Sequence, residues 1–356
     1  MSTAGTTMRV LRSIAAGVLG LVLTAACGAG ILSALGASPL EAYRWIATGA
    51  FGTPERISYV LTAWTPLLLC AAGLLLTFAA GVWNIGIEGQ VIFGAVFATG
   101  LLRALEPGVP AWAGVVLAGL AAMLGGGMWG GLAGALRAYG NVNEIFGGLG
   151  LNFIAGSLTV YLVLGPWARP GIASTSGTLP FPDRLWLPTF AVPPLVIPGE
   201  AILGLVAIGL VAGALRGTQF GLRLNAIGRS SRAAYIRGVP VTRGLLWAFA
   251  GCGGLAGLAG FVLVIGAYSR HQLFPLISGG YGFLAILVVL LAGSNALAGI
   301  LISALFAAVS TGSLQLPLQM HLDSSVGGII EGTLVLLALL MRGVQARLVP
   351  RGEVTH

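Results

Sequence analysis

The sequence predicts an all-α polytopic membrane protein of about ten transmembrane helices in two inverted five-helix repeats. Three observations predict it. Of its 356 residues 57% are hydrophobic and 8% charged, with a mean hydropathy of +0.96, whereas a soluble domain carries roughly 25% charged residues. Apolar runs long enough to cross a bilayer recur along the whole chain, and the arginines gather between them. Two of the runs follow glycine-punctuated breaks, Asn84–Gln90 and Gly279–Phe283. If each half holds five crossings, the odd number gives the halves opposite orientation, a transporter layout in which broken helices meet near the midplane.

Arg9 and Arg12 precede a first apolar run from about Ile14 to Leu35. Leu23–Cys27 resembles a lipoprotein cleavage site, yet the apolar character continues past Cys27, so an uncleaved helix is expected. A charge-balanced loop with Glu41, Arg44, Glu55 and Arg56 leads to the second span, about Ile57 to Ala80, and the polar break then opens the third, which ends near Leu102. The fourth, about Ala111 to Leu136, carries overlapping GxxxG pairs among Gly126, Gly127, Gly130, Gly131 and Gly134. Small residues at that spacing let helix backbones approach, so this helix belongs inside the bundle. The fifth runs from about Glu144 to Leu164, and a Pro-rich loop with no alternating pattern long enough for a domain fills Gly165 to Pro198.

The sixth span, about Ala201 to Leu215, enters the segment from Arg216 to Arg243, which holds six arginines and no acid. The remaining spans are about Leu245 to Tyr268, Gly280 to Ala292, Leu297 to Leu314 and Val326 to Met341. With both termini inside, Arg9, Arg12, Arg137, the six arginines of residues 216–243 and Arg342, Arg347 and Arg351 are cytoplasmic, twelve of eighteen. Residues 1–356 thus form one membrane domain, with halves 1–200 and 201–356 and a cytoplasmic loop at 216–243. That loop either only sets topology or docks a cytoplasmic protein, for its apolar residues suffice for one or two short helices.

The net charge of +8 and pI near 10.1 do not mark a nucleic-acid surface, because the charges sit at the ends of apolar runs. There is no lysine, which excludes a GxxxxGK[ST] phosphate loop. If ATP drives this protein, another chain hydrolyses it. Cys27, Cys70 and Cys252 stand singly, and His271, His321 and His356 are scattered, so no metal set is expected. No nucleophile–base pair or paired carboxylates emerge, and no catalytic residue is expected.

Polar groups within the apolar regions are few: Asn84, Glu88, Gln90, Asn141, Asn143, Glu144, Asn152, Asn295, Gln315 and Glu331. Such groups face the bundle interior or a wet cavity, because charge in hydrocarbon is costly. Glu88, between Gly86 and Gly89, either meets a polar solute or pins the helix break. Glu144 is either a pathway residue or a favourable charge at a helix N-terminus. Asn152 lies two turns later and lines the route or bridges helices. Tyr281 and Phe283 offer rings that stack on a flat solute or pack in the bundle.

These residues carry a resemblance. Gly81–Gln90, GVWNIGIEGQ, resembles an FNIGxEGQ signature, with Trp83 in place of Phe; Asn143–Ile145 and Leu151–Ala155 resemble NEV…LNYIA. Phe220–Gly228, FGLRLNAIG, with Ala233, Ala234, Gly238 and Val239, resembles a cytoplasmic FGLRLRAVG…A..AGI segment, and Gly280–Phe283 with Ala285, Ile286 and Asn295 resembles GYGFxAI…N. The chain is thereby similar, over nearly its whole length, to permease subunits of bacterial ABC importers of the ribose and branched-chain amino acid type, in the nucleoside and simple-sugar subgroup.

The resemblance implies an inner-membrane translocation subunit for nucleosides or related simple sugars. It also implies two cytoplasmic ATPase subunits that hold ATP and Mg, an external substrate-binding lipoprotein and a second permease, identical or related. The pathway residues would be Asn84, Glu88, Gln90, Glu144, Asn152, Tyr281 and Phe283. The ATPase would be received by Phe220, Arg223, Asn225, Gly228, Arg229, Arg232, Tyr235 and Arg237. Two departures stand out: Ser230–Arg232 replaces a more acidic stretch, and Leu284 stands where a polar residue is common. Two competing readings are an ion-coupled secondary transporter, using Glu88 or Glu331 and needing no ATPase, and a membrane scaffold.

Overall fold

A computed structural model describes residues 25–340 except 35, 107, 172–175, 324–325, 334–335 and 338–339. The start of the expected first span, the last residue of the expected tenth, and Arg9, Arg12, Arg342, Arg347 and Arg351 lie outside the described residues. The chain divides into two compact units, residues 57–307 and residues 1–56 with 308–356. Among the described residues seven helices are long and apolar enough to cross a membrane, which makes this an all-α polytopic membrane protein.

The larger unit contains most of α3 (Pro54–Ala79), then α4 (Ile87–Leu105), α5 (Ala111–Ala138), α6 (Glu144–Leu164) and α7 (Gly199–Gly217). Two short helices come next, α8 (Gln219–Arg229) and α9 (Ser231–Ile236), then α10 (Val241–Ile265), α11 (Tyr281–Ala292) and most of α12 (Ala296–Ser313). Its centre is α3, α4 and α10, whose buried faces are mostly Leu, Val, Ala, Gly and Phe but also hold Glu88 and Gln90. The glycine stripe of α5 packs on a matching stripe of α10. Gly119 faces Phe261, Gly126 faces Gly253 and Gly257, and Gly134 faces Phe249, so the two helices run antiparallel. A Cβ on Gly257 would overlap the Ala122 carbonyl, and one on Gly94 of α4 would overlap Gly257 itself. Three backbones therefore converge where no side chain fits. The other face of α5, with Leu120, Leu124 and Met128, points outward.

The antiparallel pairing sets Arg137, at the end of α5, near the start of α10 and the arginine-rich segment. There α8 and α9 form because Thr218 and Ser230 cap them, accepting from Gly221 N (3.3 Å) and Ala233 N (3.2 Å). Leu224, Ile227 and Ala234 are buried, whereas Leu222, Tyr235 and Ile236 are exposed beside the arginines. The last turn of α8 meets the end of α3 backbone to backbone: a Cβ on Gly228 would strike the Ala79 carbonyl, and one on Gly81 would lie 2.9 Å from Gly228 Cα.

The Pro-rich loop forms no domain but is not wholly irregular. It holds a short helix at Asp183–Leu185 and a hairpin, β1 (Thr189–Val192) antiparallel to β2 (Leu195–Pro198), paired Thr189 with Pro198 and Val192 with Leu195. Short runs of strand formers flank the two prolines of the turn, too brief to read from periodicity. Ser58 Oγ anchors the hairpin by donating to the Val196 carbonyl (2.5 Å), while Thr178 N and Phe181 N donate to the carbonyls of Leu273 and His271 (2.8 and 2.7 Å).

His271 lies flat on Trp186, ring centroids 3.7 Å apart. Burial pushes its pKa down and nearby Asp183 pulls it up, with burial dominant. The fold thus favours the neutral ring, so this stabilisation is present above the ordinary value of about 6.5 and is lost as pH falls through the lowered one. Proteolysis of residues 165–187 is expected to accelerate below about pH 6, and His271→Phe is expected to flatten that dependence.

The smaller unit contains α1 (Ala25–Ala34), α2 (Pro39–Phe51), the end of α12, α13 (Gln315–Met320) and a helix over 326–333. Leu32, Ala42, Ile46, Leu316, Val326 and Ile330 form its core. Helix α2 stands where the sequence suggested a loop. Pro39 opens it, Glu41 lies in its first turn, and Ala42, Ile46, Gly49 and Ala50 give it a buried face that the charges obscure.

Candidate functional site

Two helix starts meet in the larger unit. The first is that of α4, separated from α3 by residues 80–86. A helix start leaves backbone N–H groups without partners, and a break inside the bundle must satisfy them from side chains. Asn152 of α6 does so from both sides of the break: its Oδ1 accepts from Gly89 N (2.8 Å) and its Nδ2 donates to the Ile85 carbonyl (2.9 Å). Asn84 and Gln90 exchange two amide hydrogen bonds (2.9 and 3.0 Å), and Asn84 Nδ2 also lies 3.1 Å from Cys252 Sγ in the middle of α10. Both amides are buried, so they brace the break from within.

The second start is that of α11, reached through Leu276, Gly279 and Gly280, all at positive φ. The two starts abut, for a Cβ on Gly282 would lie 3.0 Å from Glu88 N. The Glu88 carboxylate bridges them. It stands beside the Ser278 side chain and the backbone N–H groups of Gly282 and Phe283, in the first turn of α11. One carboxyl group therefore stands at the positive ends of two helices. Glu88 is 96% buried, and its Oε2 has no hydrogen-bond partner among the described residues.

That carboxylate lines a cavity of about 630 Å³ with Asn152, Phe153, Ser157, Ser278 and Phe283, a size in the range of small-molecule sites. The wall is apolar apart from the carboxylate, one amide, two hydroxyls and the backbone at Gly279 and Gly280. Of the residues singled out by sequence, Glu88, Asn152 and Phe283 meet here. Asn84 and Gln90 stand behind the wall, and Tyr281 opens α11 without lining it. Glu144 lies elsewhere, paired with Arg137 at 3.2 Å, where α6 begins.

Ser278, Phe153 and Ser157 escaped the sequence reading. Leu149, Asn152, Phe153, Gly156, Ser157 and Val160 of the wall keep i, i+3, i+4 spacing, so one helical face drawn through Asn152 contains them. Glu200 was also missed: it is buried at the start of α7, where Oε1 accepts from Ala267 N (3.0 Å) and Thr62 Oγ1 (3.3 Å). Of the expected docking residues, Phe220, Arg223, Arg232, Tyr235 and Arg237 are exposed on α8, α9 and the turn beyond. Asn225, Gly228 and Arg229 line a second cavity, of about 330 Å³.

Interrupted helices that meet around a solute-sized, partly polar cavity inside an apolar bundle define a membrane transport protein. The chain belongs to the family of branched-chain amino acid transport system permease components, whose family model matches residues 56–341. It is similar to the glucose ABC transporter permease protein TsgB13 of Haloferax volcanii, with 30% identity over 333 residues, 90% of this chain and 86% of that one. It is also similar to the guanosine ABC transporter permease protein NupP of Bacillus subtilis (26%, covering 94% and 96%) and the nucleoside ABC transporter permease protein NupB of Lactococcus lactis (25%, covering 86% and 84%). No solved structure matches the chain.

Proposed function

We propose that this permease carries nucleosides or related simple sugars inward across a bacterial inner membrane, driven by ATP that separate ATPase subunits bind with Mg and hydrolyse. The observation that carries the reading is the 630 Å³ cavity, in which the Glu88 carboxyl, the Asn152 amide and the Ser157 and Ser278 hydroxyls stand among apolar side chains. An acceptor there suits a neutral solute rich in hydroxyl and N–H donors, and Phe153 and Phe283 offer faces to a ring. The names of the relatives, which include guanosine, nucleoside and glucose permeases, agree with that chemistry.

The proposal includes ten crossings in two inverted halves, 1–200 and 201–356, with both termini cytoplasmic. Its support is the head-to-head meeting of α4 and α11 and the clustering of arginines at one end of the larger unit. At that end Arg223, Arg232 and Arg237 stand beside exposed Leu222, Tyr235 and Ile236, a mixed surface suited to an ATPase. Movement of α8 would reach the α4 break through the contact of Gly228 with Ala79 and Gly81. An external substrate-binding lipoprotein and a second permease complete the importer.

The test is a mild-detergent pull-down of the tagged chain from its native membrane, beside Arg232→Glu/Arg237→Glu. Loss of a co-purifying ATPase is expected in the variant. A chain that purifies alone and transports in vesicles would overturn the importer reading.

A further inference from the structure

The 330 Å³ cavity lies between the C-terminal ends of α3, α7 and α8 and the turn joining α11 to α12. Its walls are graded. Leu75 and Ala212 lie deeper by one turn, Phe78 and Leu215 come next, and Arg216 and Arg229 form the rim. No acidic residue lines it. Among the described residues the ion pairs are Arg137–Glu144 and Arg184–Glu106, so both rim guanidiniums are without a carboxylate.

Three helices present carbonyl ends here, against one amino end, that of α12 at Ala296, which Asn295 already caps by accepting from Leu297 N and Ala298 N. A negative charge is unfavourable at carbonyl ends. An anion therefore gains nothing by entering fully. It is favoured at the rim, between two guanidiniums, provided that the portion of the ligand reaching past the rim into the cavity is apolar. A phosphodiester carrying hydrocarbon has that form, and basic pockets between helices at the cytoplasmic side take such headgroups. We infer that this cavity is a binding site for one anionic phospholipid, its phosphate between Arg216 and Arg229 and its hydrocarbon along Leu215, Phe78 and Leu75.

The inference goes beyond the general contact of a membrane protein with lipid, because it assigns one lipid to one site. It also assigns Arg229 and Asn225 to the inner side of α8 and leaves the outer side to the ATPase. It rests on the importer reading only for the leaflet concerned. A failure of ATPase capture and a failure of lipid retention are separate results.

The experiment is native mass spectrometry of the purified chain in non-ionic detergent, titrated with phosphatidylglycerol or phosphatidylcholine of the same acyl chains. The expected result is one retained phosphatidylglycerol, favoured at least about tenfold over phosphatidylcholine. Arg216→Gln/Arg229→Gln should lose that preference, whereas Arg223→Gln/Arg237→Gln, with the same loss of charge outside the cavity, should keep it. If the first pair does not elute as a single folded species, Arg216→Gln alone carries the test, with a partial loss expected. Equal retention of both lipids, or equal loss in both pairs, overturns the inference. Displacement of the lipid by millimolar inorganic phosphate also overturns it and assigns the rim to a free anion.

Discussion

Replacing Glu88 by glutamine is expected to lower nucleoside uptake roughly 30- to 100-fold, as when a hydrogen bond to a charged group is weakened at a functional site. Glutamine keeps the shape and one acceptor, so the chain should extract and elute like the parent. What it removes is the acidic group between the first turns of α4 and α11, and with it the carboxyl acceptor that lines the cavity. Uptake into vesicles that hold the full transporter is the measurement, with labelled guanosine as probe and Glu88→Asp as a graded control. Unchanged uptake would make Glu88 only a brace and move the solute path away from this cavity.

The second large effect concerns folding. Gly257→Val places a branched side chain where α4, α5 and α10 touch backbone to backbone, against the Ala122 carbonyl and Gly126 Cα. No rotamer relieves a clash that begins at Cβ, so about 3 kcal/mol or more of stability should be lost, and most of the protein should aggregate on extraction. Gly131→Ala on α5 is the informative comparison. Nothing lies within 4 Å of its added carbon, so its unfolding temperature in detergent should match the parent. Equal effects of the two changes would mean that the glycine stripe is not the contact.

Much of the fold is legible in the sequence because its cause is local. An uninterrupted apolar run fixes each long span, and the glycines of α5 announce a close neighbour without saying which one. The identity of that neighbour, α10, depends on residues more than a hundred positions away. Helix α2 was obscured because Glu41 and Arg44 look like a loop until the buried face of Ala42, Ile46 and Ala50 is traced.

The site divides in the same way. The break around Asn84 and Glu88 is visible as polar and glycine residues between apolar runs. That Asn152 holds both sides of the break, and that Glu88 belongs equally to α11, are tertiary facts that local pattern cannot carry. Ser278 was hidden because a serine before a glycine pair looks like any turn.

The meeting of Gly228 with Ala79 and Gly81 has a mechanical consequence. Two bare backbones in contact resist compression, but they have nothing with which to hold on. Among the described residues no hydrogen bond joins them, and no side chain interlocks. Such a joint can pass a push from α8 to the end of α3 but not a pull.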